Sequence, residues 1–531
     1  MRIHFLNLIL LSSFLLSFAQ QPANHYQVIP EPESIRNSES SIIFSGSVKI
    51  FAPKQALEEA KMLQENLLGD FGMKSQIVEK ADQANIVFKL GANSDNNEAY
   101  TLEVNKNKTV ISAATSTGIF YGIQSLRQII QKYDNKLYIQ QGTIMDSPAF
   151  SWRSFMLDES RHFKGKQAVK NLLEEMALLK MNIFQWHLTD DQGWRIEIKK
   201  YPKLTEIGSY RDSTEINFIG SKVCNGKAHS GFYTQEDIKE IVAYATKLHI
   251  QIVPEIEMPG HASAAIAAYP WLGATGKRIQ VPCYFGVMFD VYNVVDPRVM
   301  TFFNDVFDEL IPLFPSPVFH IGGDEVRYNQ WNESEQVKQY MDKNGLQSAA
   351  ELQVYFTNTI SNLLKNKGKR MMGWNEITGD NVHDYQKSID TKANNHKLAE
   401  GTIVQFWRGD STLILKTINN GYEIVNSNNE FTYLDYDYKT ISLSMAYSFN
   451  PIPKGIPKNK EKNVIGLGCQ MWGEMIPTVE SMNYKVYPRI AAYAETGWTT
   501  PKNKNFQRFV AALPQMLNRW SNKGINYGPL K

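Results

Sequence analysis

Cysteine and net charge are both scarce in this sequence, and each shortage excludes a class of protein. Three cysteines in 531 residues cannot form the dense disulfide framework of small secreted domains. No spacing of cysteine and histidine is typical of a zinc site, so we expect no metal, and we predict no other cofactor. A formal net charge of +2 offers no electrostatic basis for binding nucleic acid or an anionic membrane.

Long apolar runs are absent beyond the N-terminus. A membrane-spanning helix needs about 18 or more apolar residues in succession, and no later stretch reaches that length. The N-terminus combines Arg2, an apolar run over residues 8–16 and a small-x-small motif at residues 17–19, which is the pattern of an export signal. We therefore expect residues 1–19 to be removed and the chain to reach the periplasm or the medium, without a transmembrane segment.

The few cysteines leave room for one disulfide at most. Cys224 and Cys283 lie in loop-like sequence and are the pair that the pattern favours, whereas Cys469 lies in a strand-like run. We expect Cys469 to be a buried free thiol. Whether Cys224 and Cys283 are bonded, and whether the protein is oligomeric, the sequence leaves open.

The residues that are present indicate a globular protein of more than one domain. Hydrophobic residues make up 43% and charged residues 21% of the chain, which is typical of folded proteins. A chain of this length exceeds one ordinary domain. Aromatic residues reach 12%, with ten tryptophans. Such a content suits stacking on sugars, although an aromatic core would explain it equally well.

Two patterns divide the chain near Asp146-Ser147-Pro148. Residues 22–147 alternate strand-like and helical segments, which predicts a small α+β domain. Residues 150–510 repeat a strand–loop–helix unit, with a capping box at Thr234 and Asp237 before one of the helices. Eight such units predict an α/β fold, a (β/α)8 TIM barrel, and residues 511–531 are expected to pack on it. The predicted strands are residues 154–157, 182–188, 250–254, 318–321, 370–374, 402–407, 423–426 and 464–472.

Polar and aromatic residues flank these strands, mostly at the carboxyl ends where such barrels hold their active sites. The fourth strand runs into Gly322-Gly323 and then the adjacent acids Asp324 and Glu325; alone, such a pair is usually a surface feature, but bare backbone beside it favours a site. Tryptophan walls with carboxylates and an arginine suit an uncharged polyhydroxylated ligand, and they predict glycoside hydrolysis. The other candidate residues are Arg153, Asp190, His261, Trp374, Trp407, Tyr433, Asp435, Trp472 and Glu474.

The motifs resemble those of glycoside hydrolase family 20, the exo-acting β-N-acetylhexosaminidases. The resemblance covers about residues 150–500, and the preceding domain resembles the one that commonly precedes this catalytic domain. The family is a substrate-assisted exception to catalysis by two enzyme carboxylates. The matching motifs are residues 153–163, 186–194, 257–261 and 320–326, Trp374, Trp407, and residues 433–435 and 472–474.

The resemblance implies a role for each candidate. Glu325 would be the general acid and then the general base, protonated at the outset and linked to Asp190 and His261. Asp324 would stay ionised, hold the 2-acetamido N–H and stabilise an oxazolinium intermediate, with net retention of configuration. The remaining roles are sugar binding: Arg153 on the 3- and 4-hydroxyls, Asp435 and Glu474 on the 4- and 6-hydroxyls, Tyr433 on the acetamido oxygen, and Trp374, Trp407 and Trp472 around the acetamido methyl and the sugar face.

Other readings remain open at this stage. The chain could be an inactive sugar-binding relative, a metal-dependent hydrolase using the Asp and His cluster, or a family 20 member that releases a disaccharide, as lacto-N-biosidases do, or a sulfated sugar. The loops at residues 214–230 and 273–294 are individual in sequence, and residues 390–399 look like an insertion. The natural glycan, its linkage and the balance between N-acetylglucosamine and N-acetylgalactosamine therefore stay undetermined.

Overall fold

Eight parallel strands close into a barrel, as the sequence predicts. A computed structural model of the chain describes residues 26–133, 136–379 and 398–530. The predicted signal peptide and most of the predicted insertion at residues 390–399 lie outside these residues. Each strand pairs in parallel with the next, and the last pairs with the first.

An N-terminal α+β domain precedes the barrel. Its mixed sheet runs in the order β1-β8-β5-β6-β4-β2-β3, with β7 paired to β8. Two helices accompany the sheet, and both bury apolar side chains against it. The elements are β1 Ser34–Ser45, β2 Val48–Phe51, α1 Leu57–Phe71, β3 Ser75–Ile77, β4 Ile86–Leu90, β5 Tyr100–Val104, β6 Thr109–Ala113, α2 Ser116–Ile129, β7 Ile130–Tyr133 and β8 Lys136–Asp146.

All eight predicted barrel strands are confirmed, with ends that differ from the prediction by at most two residues. They read as apolar runs because parallel strands in such a barrel are covered on both faces; every residue of the first barrel strand is buried. The strands are β9 Trp152–Asp158, β10 Ile183–His187, β11 Gln251–Glu255, β12 Val318–His320, β13 Arg370–Trp374, β14 Ile403–Phe406, β15 Glu423–Asn426 and β16 Val464–Met471.

The helices around the barrel follow local sequence signals. The predicted capping box is confirmed, since Thr234 accepts from the Asp237 N–H and the Asp237 side chain accepts from the Thr234 N–H. The main helices are α3 Lys166–Leu178, α4 Gln235–Lys247, α5 Pro297–Leu310, α6 Ala349–Asn366, α7 Ser411–Asn419, α8 Arg489–Trp498 and α9 Phe506–Asn522. Shorter helices are Lys203–Glu206, Ser263–Ala268, Asn329–Glu333, Glu335–Asn344, Asn429–Thr432, Leu443–Ser448 and Val479–Val486. Two small hairpins pair Thr189–Asp190 with Gly193–Trp194 and Tyr210–Arg211 with His229–Ser230.

The barrel interior is apolar at one end and polar above it. Alternate residues of a strand point to the same side, so one apolar residue is followed two positions later by a polar one, as in Ile183 then Gln185 and Val318 then His320. The apolar layer closes the amino-terminal end and leaves the carboxyl end for polar groups. This layer is Trp152, Ile183, Val253, Val318, Met372, Ile403 and Val425.

The C-terminal helix α9 starts before the predicted boundary at residue 510, so that boundary was wrong: one continuous helix crosses it. The helix does pack on the barrel. Trp520 Nε1 donates to Glu175 Oε2 of α3 at 3.0 Å, and Arg519 pairs with Glu175 and with Asp70 of α1. Among the described helices, none combines the length and apolar content needed to cross a membrane.

The cysteines lie where the sequence predicts. Cys469 is buried in β16. Cys224 and Cys283 are brought together from two different loops, with their sulfur atoms 3.2 Å apart and unbonded. Their disulfide therefore stays a prediction, although the fold supplies the proximity that it requires.

A buried ion pair joins the two domains at their predicted boundary. Asp146 Oδ2 lies 2.8 Å from Lys180 Nζ, and both side chains are fully buried. Tyr100 Oη also donates to Asp146 Oδ2 at 2.6 Å, and Trp498 Nε1 donates to Oδ1 at 2.9 Å. One carboxylate thus holds β8, the α3–β10 turn and α8 together.

We predict that Asp146→Ala destabilises the whole protein, because it leaves the Lys180 ammonium buried without its counter-ion. Breaking a buried pair on one side costs roughly 3–5 kcal/mol, so the urea midpoint for unfolding should fall clearly. Glu58→Ala, which removes an exposed partner of Lys61, is the matched control and should leave the midpoint unchanged. Equal midpoints for the Asp146→Ala variant and the wild type would contradict this role.

Candidate active site

A strained turn presents the acid pair at the end of β12. Gly322 and Gly323 have φ of 65° and 91°, and a Cβ at Gly322 would overlap the Glu257 carboxyl group. Glu325 also lies in the left-handed region, with φ of 52°, which a non-glycine residue adopts at a cost of about 1–3 kcal/mol. The turn therefore needs both glycines, and the strain at Glu325 fixes the direction in which its side chain leaves the backbone.

His261 links the acid pair to two aspartates. Its Nδ1 is 3.1 Å from Asp191 Oδ2 and 3.2 Å from Asp190 Oδ1. Its Nε2 is 3.8 Å from Asp324 Oδ2 and 3.7 Å from Glu325 Oε2. The structure thus brings together Asp190, His261 and Glu325, which the resemblance links, and it adds Asp191, which sequence reasoning missed. Burial alone would lower the pKa of His261, but the aspartates outweigh burial and hold this pKa well above its usual range.

Asp324 is a buried carboxyl group of this site. Burial raises its pKa to about 8, with Glu376 and Glu325 adding to the effect while His261 opposes it. Burial thus favours the neutral form of Asp324 in the ligand-free site, whereas the expectation of an ionised Asp324 concerns the substrate complex and stays a prediction. Asp324 Oδ1 is buried and has no hydrogen-bond partner within the described part of the chain. Buried acceptors are normally satisfied, so this oxygen marks a position where a ligand N–H can donate.

The arginine of the mouth is Arg161, and the prediction of Arg153 was wrong. Arg161 Nη2 lies 2.7 Å from Asp190 Oδ2. Its Nη1 lies 3.0 Å from Asp158 Oδ2 and 3.7 Å from Glu474 Oε1. Its guanidinium carbon is 5.2 Å from the centroid of the Trp472 ring. The motif of residues 153–163 contains both arginines. Arg153 lies near the amino-terminal end of the strand, and Arg161 follows its carboxyl end, where the mouth is.

Arg153 lies near the amino-terminal end of β9, where it joins the domains. Its guanidinium pairs with Glu98 at 2.8 Å and donates to the carbonyl oxygens of Phe150 and Lys180. A strand rises about 3.3 Å per residue, so the five steps along the chain from Arg153 to Asp158 place Arg153 roughly 16 Å below the mouth. Counting along the strand from the first predicted residue would have shown this.

Four aromatic side chains form a wall beside the acids, as the sequence predicts. Trp407 stacks on Tyr433 with centroids 6.2 Å apart and planes 12° apart. Trp472 contacts both Trp374, at 5.8 Å, and Tyr433, at 5.9 Å. Carboxylates fix two of the indoles, because Trp374 Nε1 donates to Glu255 and Trp407 Nε1 donates to Glu376. These rings are therefore held in position before any ligand arrives.

Asp435 and Glu474 complete the far side of the site. Burial raises the pKa of Asp435 to about 8, and the neighbouring Glu474 adds to the rise. Asp435 Oδ1 is buried without a hydrogen-bond partner among the residues described. Like Asp324 Oδ1, it is an acceptor that a ligand hydroxyl can satisfy. Both predicted residues therefore belong to the site.

A buried network of charges lies beneath the acids, and sequence reasoning missed most of it. His187 Nε2 is 2.9 Å from Asp190, and its Nδ1 is 3.2 Å from Glu255 Oε2. Burial opposes protonation of His187, but Glu255 and Asp190 raise its pKa to about 10. His320 Nδ1 approaches the other Glu255 oxygen at 3.1 Å. Only the alternation of polar residues at inward positions of β10, β11 and β12 could have signalled this layer.

Three groups in this region have the residue types of a metal site. Two histidines take part, His187 and His261, and their carboxylate neighbours raise the pKa of each above its usual range. The carboxylates of these groups therefore stabilise protonated imidazoles in the ion-free site. The groups are His187 with Glu255 and Glu257, Asp190 with Asp191 and His261, and His261 with Asp324 and Glu325.

Comparison with known proteins identifies the family. The model of the glycosyl hydrolase family 20 catalytic domain matches residues 150–501, and the model of domain 2 of the same family matches residues 25–147. The chain belongs to glycosyl hydrolase family 20. Its catalytic domain is the barrel that holds the acid pair, and its domain 2 is the α+β domain.

The relatives of this family 20 chain span most of its length. A β-hexosaminidase of Porphyromonas gingivalis is 35% identical over 94% of this chain, which covers 64% of that protein, and one of Vibrio furnissii is 31% identical over 89%, covering 76% of that protein. Among solved structures, a Vibrio harveyi exo-β-N-acetylglucosaminidase in complex with N-acetylglucosamine has a TM-score of 0.82 and 29% identity, covering 96% of this chain and 79% of that one. A Bacteroides fragilis β-N-acetylhexosaminidase has a TM-score of 0.80 and 28% identity, covering 94% and 97%.

We predict that Asp324→Asn changes the pH dependence of stability. A carboxyl whose pKa is higher in the folded state than in the unfolded state stabilises the fold below the unfolded pKa, and this contribution is lost as pH rises through the folded pKa. For Asp324 that window runs from its ordinary value of 3.8 to about 8. Asparagine does not ionise, so the variant does not lose stability as pH rises. Its free energy of unfolding relative to that of the wild type should therefore grow across this window, by about 2 kcal/mol or more.

Urea unfolding of both proteins at pH 5 to 9 provides the measurement. Changes in other titrating groups cancel in the difference between variant and wild type. The matched control is Asp437→Asn, because it makes the same substitution at an exposed aspartate on the surface. Its difference in unfolding free energy from the wild type should vary far less with pH. A flat difference for Asp324→Asn would show that Asp324 is not protonated in the free site.

Proposed function

We propose that the protein hydrolyses terminal, non-reducing β-linked N-acetylhexosamine from glycans or oligosaccharides. The observation that carries this proposal is the strained turn that holds Asp324 and Glu325 against His261, beside the aromatic wall. The activities named for the relatives in Porphyromonas gingivalis and Vibrio harveyi support it. The proposed partner is a glycan with a terminal β-linked N-acetylglucosamine or N-acetylgalactosamine.

Glu325 begins the reaction as general acid. Its carboxylic proton goes to the glycosidic oxygen, while the substrate's own acetamido oxygen attacks C1 and the bond from C1 to the leaving group breaks. The products of this step are the free leaving-group alcohol, an oxazolinium ion and the Glu325 carboxylate. Glu325 is more exposed than Asp324, with 26% against 10% of the side chain accessible, which suits contact with both the leaving group and water.

Asp324 orients the acetamido group and does not attack the sugar. The acetamido N–H would donate to the buried Oδ1, which supplies the missing partner of that oxygen and favours the ionised carboxylate. As positive charge develops on the oxazolinium ring, the carboxylate stabilises it in a site from which water is excluded. The raised pKa of Asp324 in the free site thus reflects an environment built for a positively charged partner.

Water completes the reaction on the same face. Glu325, now a carboxylate, takes a proton from the water that attacks C1, the oxazolinium ring opens, and the acid form of Glu325 is restored. Two displacements at C1 give net retention of the β-configuration. Tyr433 would steady the acetamido oxygen, and Trp374, Trp407 and Trp472 would enclose the methyl group and the sugar face.

Three charged residues would hold the remaining hydroxyls. Arg161 replaces Arg153 in the role of gripping the 3- and 4-hydroxyls, because it lies at the mouth between Asp190 and Glu474. Asp435 and Glu474 would accept from the 4- and 6-hydroxyls, which offsets the cost of keeping the Asp435 carboxyl buried without a donor.

The alternatives receive less support than this function. An inactive sugar-binding relative would not need a strained acid or the link from His261 to Glu325. A specificity for disaccharides or sulfated sugars has no observation in its favour at the residues that line the site. We also propose that the chain is exported, to the periplasm or the medium, on the support of its N-terminal sequence pattern.

We predict that Glu325→Gln lowers turnover most for substrates with poor leaving groups. The amide cannot donate the carboxylic proton, and general acid–base help is worth about 10²–10⁴-fold. An acidic phenol leaves without much protonation, so an aryl N-acetylglucosaminide with such a leaving group should lose far less in the first step than an N-acetylglucosamine disaccharide. The measurement is kcat/KM for a series of aryl and sugar leaving groups.

A matched control is Glu376→Gln, which changes a neighbouring carboxylate that accepts a hydrogen bond from an indole. This variant should lower kcat/KM by a similar factor for every substrate. A loss in Glu325→Gln that is the same for every leaving group would contradict its role as the acid. No hydrolysis of any β-N-acetylhexosaminide by the wild-type protein would refute the proposed function itself.

A further inference from the structure

Gly473 lies between the aromatic wall and one of the acids that would hold the sugar hydroxyls. It follows Trp472 and precedes Glu474, just beyond the end of β16. A Cβ at Gly473 would lie 2.9 Å from Asp158 Oδ2 and 3.0 Å from the Asp158 carbonyl oxygen. The backbone of Gly473 therefore lies directly against the end of the adjacent strand β9, with no room for a side chain.

Two side chains from the end of β9 and the loop after it hold this backbone on both sides. Asp158 Oδ2 accepts from the Gly473 N–H at 2.8 Å, and His162 Nδ1 lies 2.7 Å from the Gly473 carbonyl oxygen. A carbonyl oxygen only accepts, so His162 Nδ1 carries the proton and donates it. That carbonyl belongs to the planar peptide group that ends at the nitrogen of Glu474. The bond from His162 thus fixes the backbone from which the Glu474 side chain departs.

The same loop also contacts the Glu474 side chain. Arg161 precedes His162, and its Nη1 lies 3.7 Å from Glu474 Oε1. Two successive residues therefore act on one acid, Arg161 at its carboxylate and His162 at its backbone. Hydrogen bonds form only over a narrow range of distances and angles. A shift of this backbone would therefore weaken the bond between Glu474 and a substrate hydroxyl.

The surroundings of His162 hold it as a neutral donor. The residue is 6% exposed, and its ring packs edge-to-face on His229 with centroids 5.2 Å apart and lies 5.8 Å from the ring of Phe285. Burial lowers the pKa of His162 to about 4, so at neutral pH its single N–H is the one that faces Gly473. His229 Nε2 accepts from the Phe163 N–H at 3.0 Å, which fastens the residue next to His162.

We propose that His162 is a positioning residue for Glu474, because its hydrogen bond to the Gly473 carbonyl oxygen sets where the Glu474 carboxylate meets the 4- or 6-hydroxyl of the terminal sugar. His162 acts through the Gly473 peptide and not on the reacting atoms. The inference rests on the proposed function, which assigns Glu474 to these hydroxyls. It adds a residue on which recognition of the terminal sugar depends.

The experiment measures how strongly the enzyme recognises each hydroxyl. The substrates are an aryl β-N-acetylglucosaminide and its 4-deoxy and 6-deoxy analogues, and kcat/KM for the parent is divided by kcat/KM for each analogue. His162→Phe keeps an aromatic ring but cannot donate to Gly473. We expect at least one of the two ratios to fall about tenfold, because a displaced carboxylate loses the advantage of a charge-assisted hydrogen bond to the hydroxyl.

Further variants separate the hydrogen bond from packing. His162→Asn presents an amide N–H to the Gly473 carbonyl oxygen and should retain both ratios. His162→Leu lacks a donor and should reproduce the loss, so the test holds even where His162→Phe does not fold. The matched control is His249→Phe, which removes an imidazole at the domain junction, where His249 Nε2 lies 3.1 Å from Glu59 Oε1. Both of its ratios should equal those of the wild type.

Unchanged ratios in the variants without a donor would overturn the proposal, because a residue that only stabilises the fold lowers kcat/KM equally for all three substrates. A fall in His162→Asn as large as that in His162→Phe would also overturn it, since the donor would then not be the property that matters. If the wild type hydrolyses none of the three substrates, the proposed function fails, and this proposal fails with it. An active wild type with unchanged ratios in the variants refutes this proposal alone.

Discussion

Neutralisation of buried negative charge is the constraint on which the site depends. Seven of the carboxylates at and below the barrel mouth are nearly inaccessible to water, and ionised groups in such a position need paired charges or hydrogen bonds. Arg161 and three histidines, His187, His261 and His320, lie against these carboxylates and oppose the effect of burial. They hold the carboxylates in one arrangement beneath the strained turn at Glu325. The seven are Asp158, Asp190, Asp191, Glu255, Glu257, Asp324 and Glu376.

Positive charge is distributed unevenly among the acids of the site. Acids that support the site pair closely with cations, whereas two acids that face the ligand do not. Arg161 and His261 overcome burial at Asp190 and hold its pKa well below the usual range, and His320 and His187 do the same for Glu255. Asp324 and Asp435 receive too little positive charge, so burial raises the pKa of each to about 8. Asp324 and Asp435 each keep one buried oxygen that has no hydrogen-bond partner among the described residues and that a ligand N–H or O–H can satisfy. A substrate with an amide N–H and several hydroxyls supplies what both lack.

Much of the fold could be predicted from the sequence, because parallel barrel strands are apolar runs between loops. The acid pair could be predicted for a local reason too: only glycines tolerate the turn that precedes Asp324. Arg153 was misplaced because the motif of residues 153–163 spans the whole strand, and position along the strand separates a residue of the domain junction from one of the mouth. The charge state of Asp324 and the roles of His187 and Glu255 depend on neighbours from other strands, and these distances exist only in the folded barrel.

The central claim is that the substrate's acetamido group is the nucleophile, and its direct test is turnover across a series with zero to three fluorine atoms on the acetyl methyl. Each fluorine weakens the carbonyl oxygen as a nucleophile without altering the leaving group. The structure predicts a steady fall in kcat/KM with each fluorine, with chemistry shown to be rate-limiting by a dependence on the leaving group. A flat series under the same condition would contradict substrate assistance and point to a carboxylate of the enzyme, Asp324 above all, as the nucleophile.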